Sequence, residues 1–167
     1  PSYKLVRTEE LMNKGYLAKL NSKIILLQHD PREFVSYQEE IDYLISHQQR
    51  NNFIKNLAID LEGNTLVLFS RVADHGEILF DLINTNVTKD RKVFFVHGGV
   101  DVEDREKARS IIETEKNSII VASYGTFSTG INIKNLHNVI FASPSKSRIR
   151  NLQSIGRVLR KANNKFS

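Results

Sequence analysis

The sequence predicts an α/β fold, a three-layer α/β/α sandwich around a mainly parallel β-sheet. The first observation behind this prediction is a set of short, almost uninterrupted apolar runs, among them 66–69 and 93–96. Strands that are apolar on both faces lie in sheets that helices cover on both sides. The second observation is that amphipathic helical patterns separate these runs. Such alternation is typical of parallel strands joined by crossover helices.

The predicted strands are five short apolar runs, at 23–28, 65–70, 92–97, 118–122 and 138–142. The turn signal Gly63-Asn64 directly precedes the second run, and Pro144 follows the fifth. Phe94 and Phe95 lie inside the third run, so we expect them to be core side chains rather than base-stacking ones.

The predicted helices are amphipathic patterns near 35–48, 50–61, 73–86, 103–114 and 147–162. The first helix repeats apolar residues at helical spacing, which predicts a core face made of Phe34, Tyr37, Ile41, Leu44 and Ile45. Residues 1–22 are predicted to be a leading segment or linker, and residues 23–167 to be one domain. Because the chain begins with Pro1 rather than Met, we expect it to be a fragment of a longer protein.

The composition is that of an ordinary globular protein, with 40% hydrophobic and 26% charged residues among 167. No stretch approaches the roughly 20 apolar residues that span a bilayer, and the start lacks the apolar region of a signal peptide. No membrane partner is therefore expected. The absence of cysteine excludes disulfides and thiolate metal sites and is compatible with an intracellular setting. The isolated histidines lack metal-site spacing and are predicted to be structural or solvated: His29, His47, His75 and His137.

The charge is distributed unevenly along the chain. Residues 1–115 contain 15 Lys or Arg and 19 Asp or Glu, whereas residues 116–167 contain 9 Lys or Arg and no acidic residue. A long segment without any carboxylate side chain favours polyanions such as nucleic acid. A solvated basic face accounts for the asymmetry equally well, so charge alone leaves both interpretations open.

Polar loops follow four of the predicted strands. Ligands of parallel α/β sheets bind at the carboxyl ends of the strands. Small hydroxyl side chains and glycines let a phosphate backbone approach main-chain N–H groups closely. Any one of these loops is better explained as a plain turn, but four at successive strand ends predict a binding edge. They are 70–74, 97–100, 123–132 and 143–146.

The glycine spacing of a phosphate-binding P-loop occurs once, from Gly125 to Gly130. A functional P-loop continues with Lys and Ser or Thr, which hold phosphate charge and magnesium. Here the next residues are Ile131 and Asn132, and no other P-loop occurs in the sequence. The chain therefore lacks the parts needed to bind and hydrolyse ATP alone.

The strongest local pattern lies near the end of the chain. At about 100° per residue, Gln153, Arg157 and Arg160 fall in one stripe of the predicted helix. Gly156 weakens a helix and is expected to permit a close approach. Two arginines one turn apart repel each other unless an anion lies between them, and arginine suits bidentate phosphate contacts. A solvated basic helix face is the alternative. The opposite, apolar stripe contains Leu152, Ile155 and Leu159.

The pattern Gln-x-x-Gly-Arg-x-x-Arg at 153–160 resembles motif VI of superfamily 2 helicases. The order of the segments before it makes the resemblance specific. They resemble motif IV at 66–71, the short loop motif at 97–100, motif V at 123–132 and the strand leading into motif VI at 138–144. The resemblance covers about residues 64–161. It implies the second, C-terminal RecA-like motor domain of a helicase, similar to that of the recombination helicases of tailed phages.

The resemblance implies roles for residues that face nucleotide. Arg160 is identified as the arginine finger that stabilises charge on the transferred γ-phosphoryl group, and Arg157 as a contact to the same phosphate. Gln153 is implied to sense nucleotide, while Gly130 and Asn132 are implied to lie near the ribose. The family commonly has Asp where this chain has Asn132. An amide still hydrogen-bonds ribose hydroxyls, but the departure weakens that assignment.

The resemblance also implies a nucleic-acid interface along the strand-end loops. Its expected contacts to the backbone of a single strand are Ser70, Arg71, His97, Gly98, Gly99, Ser123, Thr126 and Lys146. Phe127 lies in a polar loop, where stacking on a base is a further, less favoured interpretation.

The cofactor implied by the resemblance is ATP with Mg²⁺, held mainly by an N-terminal RecA-like domain of the same protein and not by this chain alone. The implied substrates are single-stranded and branched DNA, and RNA in R-loops, during recombination, repair and replication. The implied location is the cytoplasm of a bacterial host. Two rivals remain: a nucleic-acid-binding module without a motor role, and an independent nucleotide-binding α/β enzyme. The missing P-loop counts against the second rival.

Overall fold

A computed structural model describes residues 32–97, 102, 106, 109–110, 113–125 and 136–143. Within these residues one sheet contains the strands β1 (Thr65–Phe69), β2 (Val93–Val96), β3 (Ile119–Ser123) and β4 (Asn138–Phe141). Their spatial order is β2-β3-β1-β4. Every strand pair is parallel, so all four strands end at the same edge of the sheet.

The register fixes which strand ends are neighbours. Thr65 at the start of β1 pairs with Ile119 of β3 on one side and with Asn138 of β4 on the other. Four of the predicted strands are present within one or two residues of their predicted bounds. The predicted strand at 23–28 lies outside the described residues.

The described helices are α1 (Tyr37–Ser46), α2 (Gln48–Asp60) and α3 (Glu77–Asn86). The Ser36 side chain caps α1 by accepting a hydrogen bond from the Glu39 N–H at 3.2 Å. His47 separates α1 from α2 and caps α2, because its Nδ1 accepts from the Arg50 N–H at 3.2 Å. The described positions between 102 and 114 are also helical, as predicted, whereas the predicted helix near 147–162 lies outside the described residues.

The core lies on both faces of the sheet because successive side chains of a strand point to opposite sides. On one face Val67 and Phe69 pack against α2 and α3, through residues that include Ile54 and Ile83. The other face is a second buried cluster that contains Leu66, Leu68, Val96, Ile120, Ala122 and Tyr124. The pairing of the four strands confirms the parallel sheet, and burial on both of its faces agrees with the predicted α/β class. In the predicted core face of α1, Ile41 and Ile45 are buried, but Tyr37 is exposed.

A single π-helical turn, Val72–Gly76, lies between β1 and α3. Its signature is the hydrogen bond from the Gly76 N–H to the Arg71 carbonyl at 2.9 Å, five residues back. The helix predicted near 73–86 is therefore two pieces. Gly76 packs so closely on β1 that a Cβ there would lie 2.5 Å from the Phe69 ring. The extra residue of the turn brings His75 into the interior, where it is fully buried. Such π turns occur frequently at functional sites.

The opposite edge of the sheet contains a glycine turn and an arginine that binds backbone carbonyls. Gly63 adopts a positive φ of 88°, which confirms the turn predicted by Gly63-Asn64. The Arg91 guanidinium donates to the carbonyls of Ile59 at 2.6 Å and Leu61 at 2.7 Å, so it closes the end of α2. Burial lowers the pKa of Arg91. No helix in the described segments is long and apolar enough to cross a membrane.

Candidate functional site

The carboxyl edge of the sheet brings together the residues that follow each strand. Ser70, His97, Tyr124 and Ala142 are the first residues after β1, β2, β3 and β4. Of the site residues predicted from sequence, Ser70, Arg71, His97 and Ser123 lie in the described part of the chain, and all four are at this edge. The others lie outside it: Gly98, Gly99, Thr126, Gly130, Asn132, Lys146, Gln153, Arg157 and Arg160.

Ser70 is exposed, but its backbone is fastened to the neighbouring strand end. The Ser70 N–H donates to the Ser143 Oγ at 3.0 Å. Two residues earlier in β1, the Leu68 carbonyl accepts from the Ala142 N–H at 2.9 Å. The end of β1 and the end of β4 are therefore joined both by main chain and by a side-chain hydroxyl.

Arg71 is already engaged by two carboxylates. Its Nη1 bonds the Asp42 carboxylate of α1 and lies 3.8 Å from the Asp74 Oδ2 in the π turn. The Arg71 side chain is 30% exposed and is thus partly accessible to solvent. The sequence did not predict a role for Asp42. Only the apolar residues of its helix carried a signal, and Asp42 lies 29 positions before Arg71.

His97 and Ser123 lie at the ends of the adjacent strands β2 and β3. The His97 ring is half-buried, with its centroid 5.3 Å from that of Phe95. Ser123 is buried, and the next residue, Tyr124, has an almost fully buried ring. The Tyr124 hydroxyl donates to the Ser143 carbonyl at 3.0 Å, so the end of β3 is also fastened to the end of β4.

His75 completes the contacts at this edge. Its Nδ1 lies 2.7 Å from the Ser143 Oγ, and its Nε2 lies 3.0 Å from the Asn51 Oδ1 in α2. Burial, and secondly the positive charge of Arg50, lowers the pKa of His75 to about 4. The imidazole is therefore neutral at physiological pH, with one donor and one acceptor nitrogen.

The surrounding hydrogen bonds assign the tautomer of His75. The Asn51 Nδ2 donates to the Ile45 carbonyl at 2.8 Å, so the Asn51 Oδ1 is the atom that faces His75. Nε2 therefore carries the proton and Nδ1 accepts one from the Ser143 hydroxyl. The Ser143 oxygen in turn accepts from the Ser70 N–H. Every polar atom in this chain of contacts has a partner of the right kind.

Arg50 is a half-buried cation close to this network. Burial lowers its pKa, with an opposing contribution from Tyr124. Its Nη1 is buried and has no hydrogen-bond partner within the described part of the chain. Residues 116–167 contain no carboxylate side chain that would compensate this charge.

The described residues do not form a magnesium site. No group of three or more His, Asp or Glu side chains in these segments is placed to hold a metal ion. Among the described residues at this edge, the carboxylates of Asp42 and Asp74 both face Arg71. Their charge is thus directed to a guanidinium rather than to a cation-binding position.

Comparison with known proteins identifies the family. Residues 34–162, more than half of the chain, match the family described as the helicase conserved C-terminal domain. This chain belongs to that family. The helicase C-terminal domain defined by this match includes all four described strands and the segment at 153–160. The family predicted from the ordered motifs is thus confirmed.

Two viral helicases are among the relatives of this helicase C-terminal domain. It is 44% identical to the ATP-dependent DNA helicase UvsW of Enterobacteria phage T4, over 98% of this chain and 33% of the relative. It is 33% identical to L396 of Acanthamoeba polyphaga mimivirus, provisionally described as an ATP-dependent RNA helicase, over 68% of this chain and 21% of the relative. The crystal structure of T4 UvsW matches with a TM-score of 0.64 and 47% identity, over 75% of this chain and 25% of that one. The chain thus spans about a third or less of the length of these relatives.

Proposed function

We propose that this chain is the second motor half of an ATP-dependent helicase and that it supplies Arg157 and Arg160 to an ATP held by another domain. The observation that carries the proposal is the Gln153–Arg157–Arg160 stripe, which lies inside the region matched to the helicase C-terminal family. The 44% identity to an ATP-dependent DNA helicase supports the same activity for the complete protein.

The division of labour between two domains follows from what this chain lacks. Gly125 and Gly130 have the spacing of a P-loop, but Ile131 and Asn132 stand where lysine and a hydroxyl residue are required. The described carboxylates at the strand ends contact Arg71. In this proposal an N-terminal RecA-like domain provides the P-loop and the magnesium ligands. Closure of the two domains around ATP would bring Arg160 to the γ-phosphate, where a guanidinium stabilises the developing charge.

The nucleic acid is proposed to run along the carboxyl edge of the sheet. Ser70 and Arg71 follow β1, and His97 and Ser123 end their strands at the same edge. The loops after β2, β3 and β4 add Gly98, Gly99, Thr126 and Lys146. The acid-free segment 116–167 supplies a field that favours phosphates.

The proposed substrates are single-stranded and branched DNA, and R-loops, in recombination, repair and replication. Support comes from the 44% identity to UvsW of phage T4, which is an ATP-dependent DNA helicase. The same relative supports a location in the cytoplasm of a bacterial host. The RNA helicase description of the mimivirus relative keeps RNA within the proposed substrate range.

The decisive experiment is Arg160→Ala in the complete protein, measured by single-turnover ATP hydrolysis beside equilibrium DNA binding. Hydrolysis should fall by about 10³–10⁵, the range seen when such fingers are absent, while ATP and DNA binding persist. Arg160→Lys should restore little, because an ammonium does not reproduce the planar bidentate contact. Lys161→Ala is the matched control, since it removes a neighbouring positive charge outside the stripe.

A nucleic-acid-binding module without a motor role is the alternative, favoured by the basic, acid-free segment alone. It predicts that Arg160→Ala and Lys161→Ala weaken DNA binding slightly and equally and leave hydrolysis unchanged. If Arg160→Ala hydrolyses ATP at nearly the wild-type rate, the finger assignment is wrong and Arg157 becomes the residue to test.

A further inference from the structure

Ser143 is a junction at which three strand ends meet. Its Oγ contacts the Ser70 N–H at 3.0 Å and the His75 Nδ1 at 2.7 Å, and its carbonyl accepts from the Tyr124 hydroxyl at 3.0 Å. Ser143 and His75 are both buried, so no solvent replaces a contact that is lost. The ends of β1, β3 and β4 consequently move together or break a buried hydrogen bond.

The three joined segments are the ones to which the proposed function gives different tasks. Ser70 begins the loop that is proposed to contact nucleic acid. Tyr124 precedes the loop that contains Gly130 and Asn132, assigned to nucleotide. Ser143 precedes the segment that leads, ten positions later, to Gln153 at the start of the arginine stripe.

We propose that His75 and Ser143 are positioning residues that couple nucleic-acid binding at the β1 end to the placement of the arginine stripe after β4. The inference rests on the proposed function and adds to it the contact through which the coupling passes. Neither side chain touches ATP or nucleic acid in this proposal. Their role is to transmit a displacement of the Ser70 backbone to the first residue of the segment that carries the arginines.

The chemistry of His75 suits this role. Its Nε2–H is held by the Asn51 Oδ1, which is itself oriented by the Ile45 carbonyl, so α2 fixes the ring. Because the pKa of His75 lies at about 4, Nδ1 is unprotonated at neutral pH and accepts from the Ser143 hydroxyl. The Ser143 oxygen then keeps a lone pair for the Ser70 N–H. The His75 ring, held by Asn51, therefore positions the Ser143 hydroxyl, and that hydroxyl joins the ends of β1 and β4.

Two substitutions of His75 separate its two contacts. In His75→Gln the amide nitrogen takes the place of Nε2 and donates to Asn51, but nothing accepts from Ser143. In His75→Asn the amide oxygen takes the place of Nδ1 and accepts from Ser143, but the contact to Asn51 is lost. Both variants remove the ring, so each controls for the packing loss of the other. Ser143→Ala is a third variant that leaves the ring in place.

The experiment uses the complete protein and measures ATP hydrolysis with and without saturating single-stranded DNA, together with KM for ATP and Kd for DNA. His75→Gln and Ser143→Ala should lower the stimulation by DNA roughly tenfold, within the range typical of coupling between sites. Hydrolysis without DNA, KM for ATP and Kd for DNA should change less than about twofold. His75→Asn keeps the acceptor for the Ser143 hydroxyl and loses only the contact to Asn51, so it should retain clearly more of the stimulation than His75→Gln.

The outcomes that contradict the proposal are distinct. Equal loss of stimulation in His75→Gln and His75→Asn would mean that the ring serves packing alone and would overturn the coupling role. Full stimulation in both His75→Gln and Ser143→Ala would overturn it as well. If DNA does not stimulate ATP hydrolysis by the wild-type protein, the proposed motor function fails and the coupling fails with it. Failure of the coupling alone would instead appear as normal stimulation in the wild-type protein together with one of the two variant results above.

Discussion

The Arg71 guanidinium bonds the Asp42 carboxylate across 29 positions of sequence and thereby joins the end of β1 to α1. The pair is partly exposed, with side-chain exposures of 30% for Arg71 and 55% for Asp42. Partly exposed ion pairs are typically worth no more than about 1 kcal/mol. An ion pair of this strength leaves Arg71 open to competition from a phosphate group, which is what the proposed nucleic-acid interface requires.

Asp42→Asn should strengthen binding of this chain to single-stranded DNA by about two- to fivefold, the range that corresponds to an exposed ion pair of up to about 1 kcal/mol. The physical reason is that the carboxylate no longer competes with phosphate for Arg71. Fluorescence anisotropy with a labelled oligonucleotide measures the effect. Glu40→Gln is the control, since it removes the same charge from the exposed side of the same helix. An Asp42→Asn chain that binds no more tightly than Glu40→Gln would remove Arg71 from the interface.

The stability of the chain should fall in mild acid because of His75. Its pKa is lowered from an ordinary value of 6.5 to about 4 in the folded state, first by burial and then by Arg50. The unfolded chain therefore takes up the proton first as the pH falls. The stabilisation from the neutral ring is fully present above pH 6.5 and is lost on going toward pH 4, to a total on the order of 3 kcal/mol. Urea unfolding between pH 7 and pH 4 measures it, and His75→Asn should flatten this part of the profile.

Gly76→Ala should destabilise the fold although its backbone suits alanine. The new Cβ would lie 2.5 Å from the fully buried Phe69 ring, and such overpacking typically costs about 1–3 kcal/mol. The helix propensity of alanine returns at most about 1 kcal/mol, so the loss prevails. Gly125→Ala is the matched control, because no atom of the described residues lies within 4 Å of its Cβ position. Urea midpoints that are equal for the two variants would contradict the close contact at Gly76.

The isolated chain should bind single-stranded DNA weakly and mainly through phosphates, and it should not hydrolyse ATP. The acid-free segment 116–167 favours counterion release, so affinity should fall steeply with salt and depend little on base sequence. Anisotropy titrations at several salt concentrations test the first statement, and a phosphate-release assay tests the second. Affinity that is flat with salt, or DNA-stimulated hydrolysis by the purified chain, would argue against the two-domain proposal.

The sheet was predictable from sequence because its signal is local. The strand Thr65–Phe69 is buried on both faces. Its nearly continuous apolar sequence predicts this burial without information from the rest of the chain. The turn at Gly63 was predictable for the same reason, since a positive φ favours glycine. The break at His47 was close to its predicted place, and the α/β class followed from the alternation of elements.

The π turn and the His75 network were not predictable, because their causes are tertiary. Gly76 approaches Phe69, and His75 meets partners 24 and 68 positions away, at Asn51 and Ser143. A single histidine in a helical pattern carries no sign of such partners, and it was interpreted only as structural or solvated. The ion pair of Arg71 with Asp42 escaped prediction in the same way. The sequence predicted the edge at which the candidate site lies, but not the contacts that organise that edge.

The position of β1 between β3 and β4 has a consequence for synthesis of the chain. Thr65 pairs with Ile119 on one side and Asn138 on the other, so the most buried strand is made long before either neighbour leaves the ribosome. Residues 66–69 are fully inaccessible in the finished fold. Before β3 and β4 are synthesised, these residues present two unpaired strand edges to other chains. Truncation before β4 should therefore yield a protein that aggregates during expression rather than a smaller soluble domain.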